Sequence, residues 1–151
     1  MNIPRRLWRF HTKEARDKLA ARFGLPNEAG MQDWHWQVAD PERVDEFLAA
    51  YRSGELSEDE RFTLMDTIIH SSQGWTDTET ELRQWNDILA LLEENIELHI
   101  YTLCYWACLE TSEDELEELA FEAAPDMRAI LNRHSERFGY PFTDGEDEPE
   151  E

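Results

Sequence analysis

Three pairs in this chain set a hydroxyl residue three positions before a glutamate at the head of a separate run of apolar residues at helical spacing. The pairs are Ser57 with Glu60, Thr78 with Glu81, and Ser112 with Glu115. In a capping box the hydroxyl takes up a free amide of the first helical turn while the carboxylate reaches back to the amide of the hydroxyl residue, so this spacing marks helix starts. Behind the first lie Phe62, Met65, Ile68 and Ile69, behind the second Leu82, Trp85, Leu89 and Leu92, and behind the third Leu116, Leu119, Ala120 and Ala123. Steps of three and four put each set on one face of a helix. A chain punctuated in this way is committed to helices in series.

The flanking segments add further elements. Asp40 before Pro41 starts a helix carrying Val44, Phe47 and Leu48, because the carboxylate caps amides and proline lacks only an N–H that would have no partner there; Gly54 stops it. Pro125 opens a last helix with Met127, Ile130, Leu131, His134 and Phe138 as its inner stripe. Leu98 to Leu109 is apolar on nearly all sides and reads as a central helix, with a strand as its main rival on account of Ile100, Tyr101, Thr102 and Tyr105. His99, Thr102 and Trp106 form its least apolar stripe. At the N-terminus, Leu7 to Phe10 reads as a short strand. Thr12 caps a helix that ends near Phe23 with Gly24 behind it. Trp34, Trp36 and Val38 alternate with His35, Gln37 and Ala39 at the period of a half-buried strand. The expected class is therefore α+β, predominantly α-helical: one domain over 1–142 with about five to seven helices. Within it, 1–39 forms a small two-stranded opening and 40–142 the helical part. Residues 143–151, with six acids among the last eight, read as a disordered acidic tail.

Size permits this plan, since 151 residues can bury roughly 70% of the unfolded surface without metals or disulfides. No apolar run approaches the ~18 residues of a membrane span, and His11 to Arg22 is too charged for a signal peptide's apolar segment. Cys104 and Cys108, four apart in an apolar segment, form no disulfide framework and read as small buried hydrophobes. These features together predict a cytoplasmic protein without membrane partners.

Catalytic patterns are missing. The chain has no glycine-rich phosphate loop, no HExxH, no CxxC pair and no GxSxG, so no catalytic residue is assigned and no enzyme is expected. The five histidines, His11, His35, His70, His99 and His134, are spread evenly along the chain and read as surface or core-edge residues, with no metal and no cofactor expected.

Charge is the stronger lead. The first 22 residues hold seven of the 14 basic residues, whereas residues 23–151 carry 33 acids against seven arginines. Between Gln84 and Met127 there are twelve acids and no Lys or Arg, so helices there lack local ion pairs. Glu93 and Glu94 crowd the end of a helix, where each negative charge costs about 0.3 to 1 kcal/mol. Asp114, Glu117, Glu118 and Glu122 share a helical region with Phe121, and acids around an aromatic anchor suit the basic surface of another protein. Glu93, Glu94, Glu97, Asp114, Glu117, Glu118, Phe121 and Glu122 are therefore the expected partner-binding set.

The run Trp85-Asn86-Asp87-Ile88-Leu89-Ala90-Leu91-Leu92-Glu93-Glu94-Asn95-Ile96-Glu97-Leu98-His99, continuing to Tyr105-Trp106, resembles a group of small acidic bacterial proteins that brings no activity with it. In size, acidity and cytoplasmic character the whole chain resembles the immunity proteins that bacteria make against nuclease or other toxin domains. The resemblance implies an inhibitory module that neutralises a toxin domain through an acidic helical face. Two other readings remain open: a helical scaffold that self-associates by docking its basic N-terminal segment on the acidic face of a second copy, and a nucleic-acid mimic directed at a DNA-binding protein. Direct nucleic-acid binding is disfavoured, because the acidic remainder repels a polyanion.

Overall fold

A computed structural model describes residues 3–28, 30–31, 33–72, 75–109 and 123–142. Among them are eight α-helices: α1 Lys13–Phe23, α2 Trp34–Gln37, α3 Val44–Arg52, α4 Glu58–Ser72, α5 Glu79–Glu94, α6 Ile96–Trp106, α7 Ala124–Arg133 and α8 Ser135–Phe138. Short 3-10 turns occupy Arg5–Leu7 and Pro41–Arg43. None of these helices is long and apolar enough to cross a membrane.

The expected local signals act where they were read. Thr12 accepts a hydrogen bond from the Ala15 amide at 3.1 Å, and Gly24 closes α1 in the left-handed conformation at φ 65, which glycine adopts without a Cβ penalty. Thr78 and Glu81 make the full reciprocal box, each amide bonded to the other side chain at 3.1 Å. Ser57 makes half of one, accepting the Glu60 amide at 3.2 Å. Ser112 and Glu115 lie outside the described residues. The segment that left helix and strand in competition is α6.

The α+β expectation is overturned, because no strand occurs among the described residues and the two-stranded opening does not form. Residues 5–7 coil into the 3-10 turn, after which Trp8 and Phe10 stand 45% and 67% exposed. A lone strand leaves its amides and carbonyls unpaired. The Trp34 segment failed for a different reason. Trp34 and Val38 are buried while Trp36 is 61% exposed, and the Val38 amide donates to the Trp34 carbonyl at 3.0 Å. Positions four apart share a face in a helix and in a strand alike, whereas the middle position points away only in a helix. Trp36 is the residue that separates the two periods.

The described elements pack as two units, residues 10–88 and residues 1–9 with 89–151. In the first, α4 is the centre, with α1, α2 and α3 packed against it. Phe62, Leu64, Met65, Ile68 and Ile69 are at most 2% exposed, so α4 is apolar well beyond one stripe. Phe47 of α3 is fully buried and meets Phe23 of α1 edge to face at 5.0 Å. Arg83 of α5 donates to both carboxylate oxygens of Asp45 at 2.9 and 3.0 Å. On α5, Trp85 and Ile88 are buried, but Leu82, expected on the same stripe, is 47% exposed.

In the second unit α6 packs on α7. His99, Thr102 and Trp106 of α6 are buried, while Tyr105 is half-exposed, so the least apolar stripe faces inward. Arg128 of α7 donates through Nε to the Ala107 carbonyl at 2.8 Å and through Nη2 to that of Cys108 at 2.5 Å. A cation there satisfies carbonyls at the negative end of the α6 dipole. Met127, Ile130 and Leu131 are buried as read, and the chain breaks at His134 before α8. The Arg6 guanidinium donates to the Phe138 carbonyl at 2.9 Å.

Candidate functional site

The site begins on α4, where Thr63, Asp66, Thr67, His70 and Ser71 fall at helical spacing among the apolar residues Phe62, Leu64, Met65, Ile68 and Ile69. Two of the hydroxyls are spent locally: Thr67 donates to the Thr63 carbonyl at 3.2 Å and Ser71 to the Thr67 carbonyl at 2.8 Å. Such back-bonding lets hydroxyl side chains sit in a helix interior without an unmet donor. Ser71 also accepts the Asp40 amide at 2.9 Å, tying the segment before α3 to α4. Asp66 and His70 remain as the titratable pair of the stripe, one turn apart.

Two more histidines reach the same carboxylate from other elements. His11 directly precedes the cap of α1, and its Nε2 lies 3.0 Å from Asp66 Oδ2. His35 is held on α2, which starts after Asp33 at φ 50, a left-handed turn that aspartate tolerates better than most residues. His35 Nε2 is 3.3 Å from the same Oδ2. His70 Nε2 stands 4.0 Å from Asp66 Oδ1. The rings gather accordingly, with centroids 4.4 Å apart for His11 and His35 and 5.3 Å apart for His35 and His70. Thr63 Oγ1 makes a hydrogen bond of 3.0 Å with His11 Nδ1, which fixes the ring so that Nε2 faces the aspartate.

Access is graded across the cluster. The side chain of His11 is 30% exposed, against 19% for His35, 15% for His70 and 13% for Asp66. Burial lowers the pKa of both His35 and His70 below the ordinary histidine value, and the Asp66 charge opposes the shift only in part. Burial thereby favours the neutral form of both imidazoles. Neutral imidazoles and a carboxylate converging at this range can relay a proton or ligate a cation.

The spacing of the histidines in sequence gave no hint of this grouping: His11, His35 and His70 do lie at the surface or the edge of the core, but they are gathered rather than scattered. One signal was available. Asp66 and His70 stand four apart in a helix whose neighbours are apolar, and that is a spacing at which two side chains meet on one face. The other two sequence histidines lie elsewhere: His99 is buried in α6, and His134 follows α7.

The expected partner-binding set is only partly in view. Glu93 lies on α5, where Arg133 donates to its two oxygens at 3.0 and 2.8 Å and His134 Nε2 lies 2.8 Å from Oε2. These bonds hold the Glu93 carboxyl down at about 2, Arg133 contributing most and His134 next. Glu97 of α6 is paired with Arg137 of α8. Glu94 is exposed and makes no ion pair with a described residue. Glu93 and Glu97, which lacked local cations, thus find them across the tertiary structure, and the energetic conflict read at the end of α5 is relieved at Glu93. Asp114, Glu117, Glu118, Phe121 and Glu122 lie outside the described residues. Cys104 is buried and its thiol is pushed up to about 12 by that burial, which keeps it protonated.

No family model matches the chain, and neither a curated protein nor a solved structure matches it.

Proposed function

We propose that this chain is an inhibitory protein-binding module of the immunity type, which neutralises a toxin domain, a nuclease above all, by covering its basic surface. The observation that carries this reading is the unbalanced charge. With 35 acids against 14 Lys and Arg, one-to-one pairing inside the molecule leaves an excess of 21 negative charges. A nuclease surface is basic because it binds phosphate backbones, and a carboxylate-rich surface enters the same field and speeds encounter.

The fate of the basic residues favours this reading over self-association. Lys13 pairs with Asp17, Lys18 with Glu14 and Arg22 with Glu55. Arg16 donates to the Met31 carbonyl and Arg6 to that of Phe138. A second copy would have to break these contacts to use the N-terminal segment as a cationic ligand. An external cationic partner faces no such competition.

The test is affinity capture with the tagged protein from its native cells, washed at low and high salt, with each captured partner assayed for toxic activity. A basic protein that is retained at low salt and loses its activity in the complex is the expected result. Recovery of the bait alone, or of partners whose activity is unchanged, would sink the reading. Glu94→Lys is expected to slow association with that partner, since reversing one exposed charge acts on the encounter rate.

A further inference from the structure

We propose that His11, His35 and Asp66, with His70 beside them, form a binding site for one divalent transition-metal ion of the zinc class. Metal bonds of about 2.0 to 2.2 Å in a four-coordinate sphere place ligand atoms about 3.3 Å apart. His11 Nε2 and His35 Nε2 lie 3.0 and 3.3 Å from Asp66 Oδ2. All three donor atoms fall within 4.8 Å of one another, so a shift of about 1 Å draws the set onto one ion. His70 stands farther off, its Nε2 4.0 Å from Oδ1, and a water fills the fourth position of such a centre.

The surroundings have the features a metal centre needs beyond its ligands. The Thr63 hydroxyl engages His11 Nδ1, the outer-shell contact that orients a ligating imidazole and leaves Nε2 for the metal. The exposed flank of His11 gives an ion a way in. Nitrogen donors with one carboxylate select zinc-like ions over calcium and magnesium, which take oxygen ligands. The centre joins the segment before α1, the short α2 and the central α4, and its occupation therefore ties a four-residue helix to the core.

Calorimetric titration of the full chain with Zn2+, and with Ca2+ as the probe for loose binding to surface acids, tests the site. The expected result is one tight Zn2+ per chain, a rise of several degrees in Tm with Zn2+ and none with Ca2+. Asp66→Asn and His35→Gln are each expected to weaken Zn2+ binding at least about 100-fold, Thr63→Val about 10-fold, and His134→Gln not at all. Co2+ bound to the unmodified protein reports independently of any variant's folding: it should give the intense visible bands of a four-coordinate site and shift the imidazole NMR signals of His11 and His35. Zn2+ binding that matches Ca2+ in strength and number, that survives in Asp66→Asn and His35→Gln, or that leaves those imidazole signals unmoved overturns the proposal.

Discussion

Arg133 grips Glu93 with two parallel hydrogen bonds, 3.0 Å from Nε and 2.8 Å from Nη2, while His134 closes on Oε2 at 2.8 Å. A fork of this kind matches carboxylate geometry and is among the stronger ion pairs. It also joins α5 to the C-terminal end of α7, where Arg133 complements the helix dipole.

The pair makes stability depend on acid. The Glu93 carboxyl has an ordinary value of 4.5 and is held at about 2 in the folded chain, so its contribution is fully present above pH 4.5 and is lost as pH falls toward 2. Glu93→Gln should lower stability by about 1 kcal/mol at pH 7, because the partly exposed pair is screened by solvent. The variant and the unmodified chain should converge as the pH falls toward 2. Urea unfolding across this range measures the difference, and an equal gap at pH 7 and pH 2.5 would remove the pair as its cause.

Trp34 and Trp36 test the helical reading of their segment. Trp34 is buried and donates from Nε1 to the Pro26 carbonyl at 2.6 Å, whereas Trp36 is 61% exposed. Trp34→Ala should cost about 3 to 5 kcal/mol, and Trp36→Ala about 0.5 kcal/mol or less. Comparable losses from both, read by chemical denaturation, would return the two rings to one face.

The reciprocal box at the start of α5 should matter despite its exposure. Thr78→Ala removes the acceptor of the Glu81 amide, at a cost of about 1 kcal/mol. Thr78→Ser keeps the acceptor and should retain most of the stability. Thermal melts of the two variants distinguish the cap from the methyl group.

Thiol labelling should separate the two cysteines. Cys104 is 1% exposed with its thiol pushed up to about 12, whereas Cys108 is only partly buried. Alkylation of the native protein near pH 8 should modify Cys108 well before Cys104, because the thiolate is the reacting form. Mass spectrometry of timed digests reads the order, and equal rates would mean that the α6 interior opens readily.

The helix starts were legible because a cap is made by residues two or three apart. Thr12, Asp40, Ser57 and Thr78 bond amides within their own first turns, and no distant partner is needed. The N-terminal strands were misread where local pattern is ambiguous: Trp34 and Val38 satisfy a period of two and a step of four equally well, and Leu7 to Phe10 had no second strand to pair with. The Asp66 and His70 pair was visible as a step of four in α4. Their partners were not, since His11 stands 55 residues before Asp66, and His35 reaches it only because α2 packs on α4.

Sequence alone determined two things about this protein: where its main helices begin, through contacts spanning one turn, and its excess of 21 negative charges, which no arrangement of its own residues can neutralise. Tertiary structure decided which of those charges are met and which histidines gather. Glu93 and Glu97 find Arg133 and Arg137 about 40 positions away, and three histidines from separate elements converge on one aspartate. Such contacts depend on which helix faces pack together, and burial of apolar surface sets that packing without regard to distance along the chain.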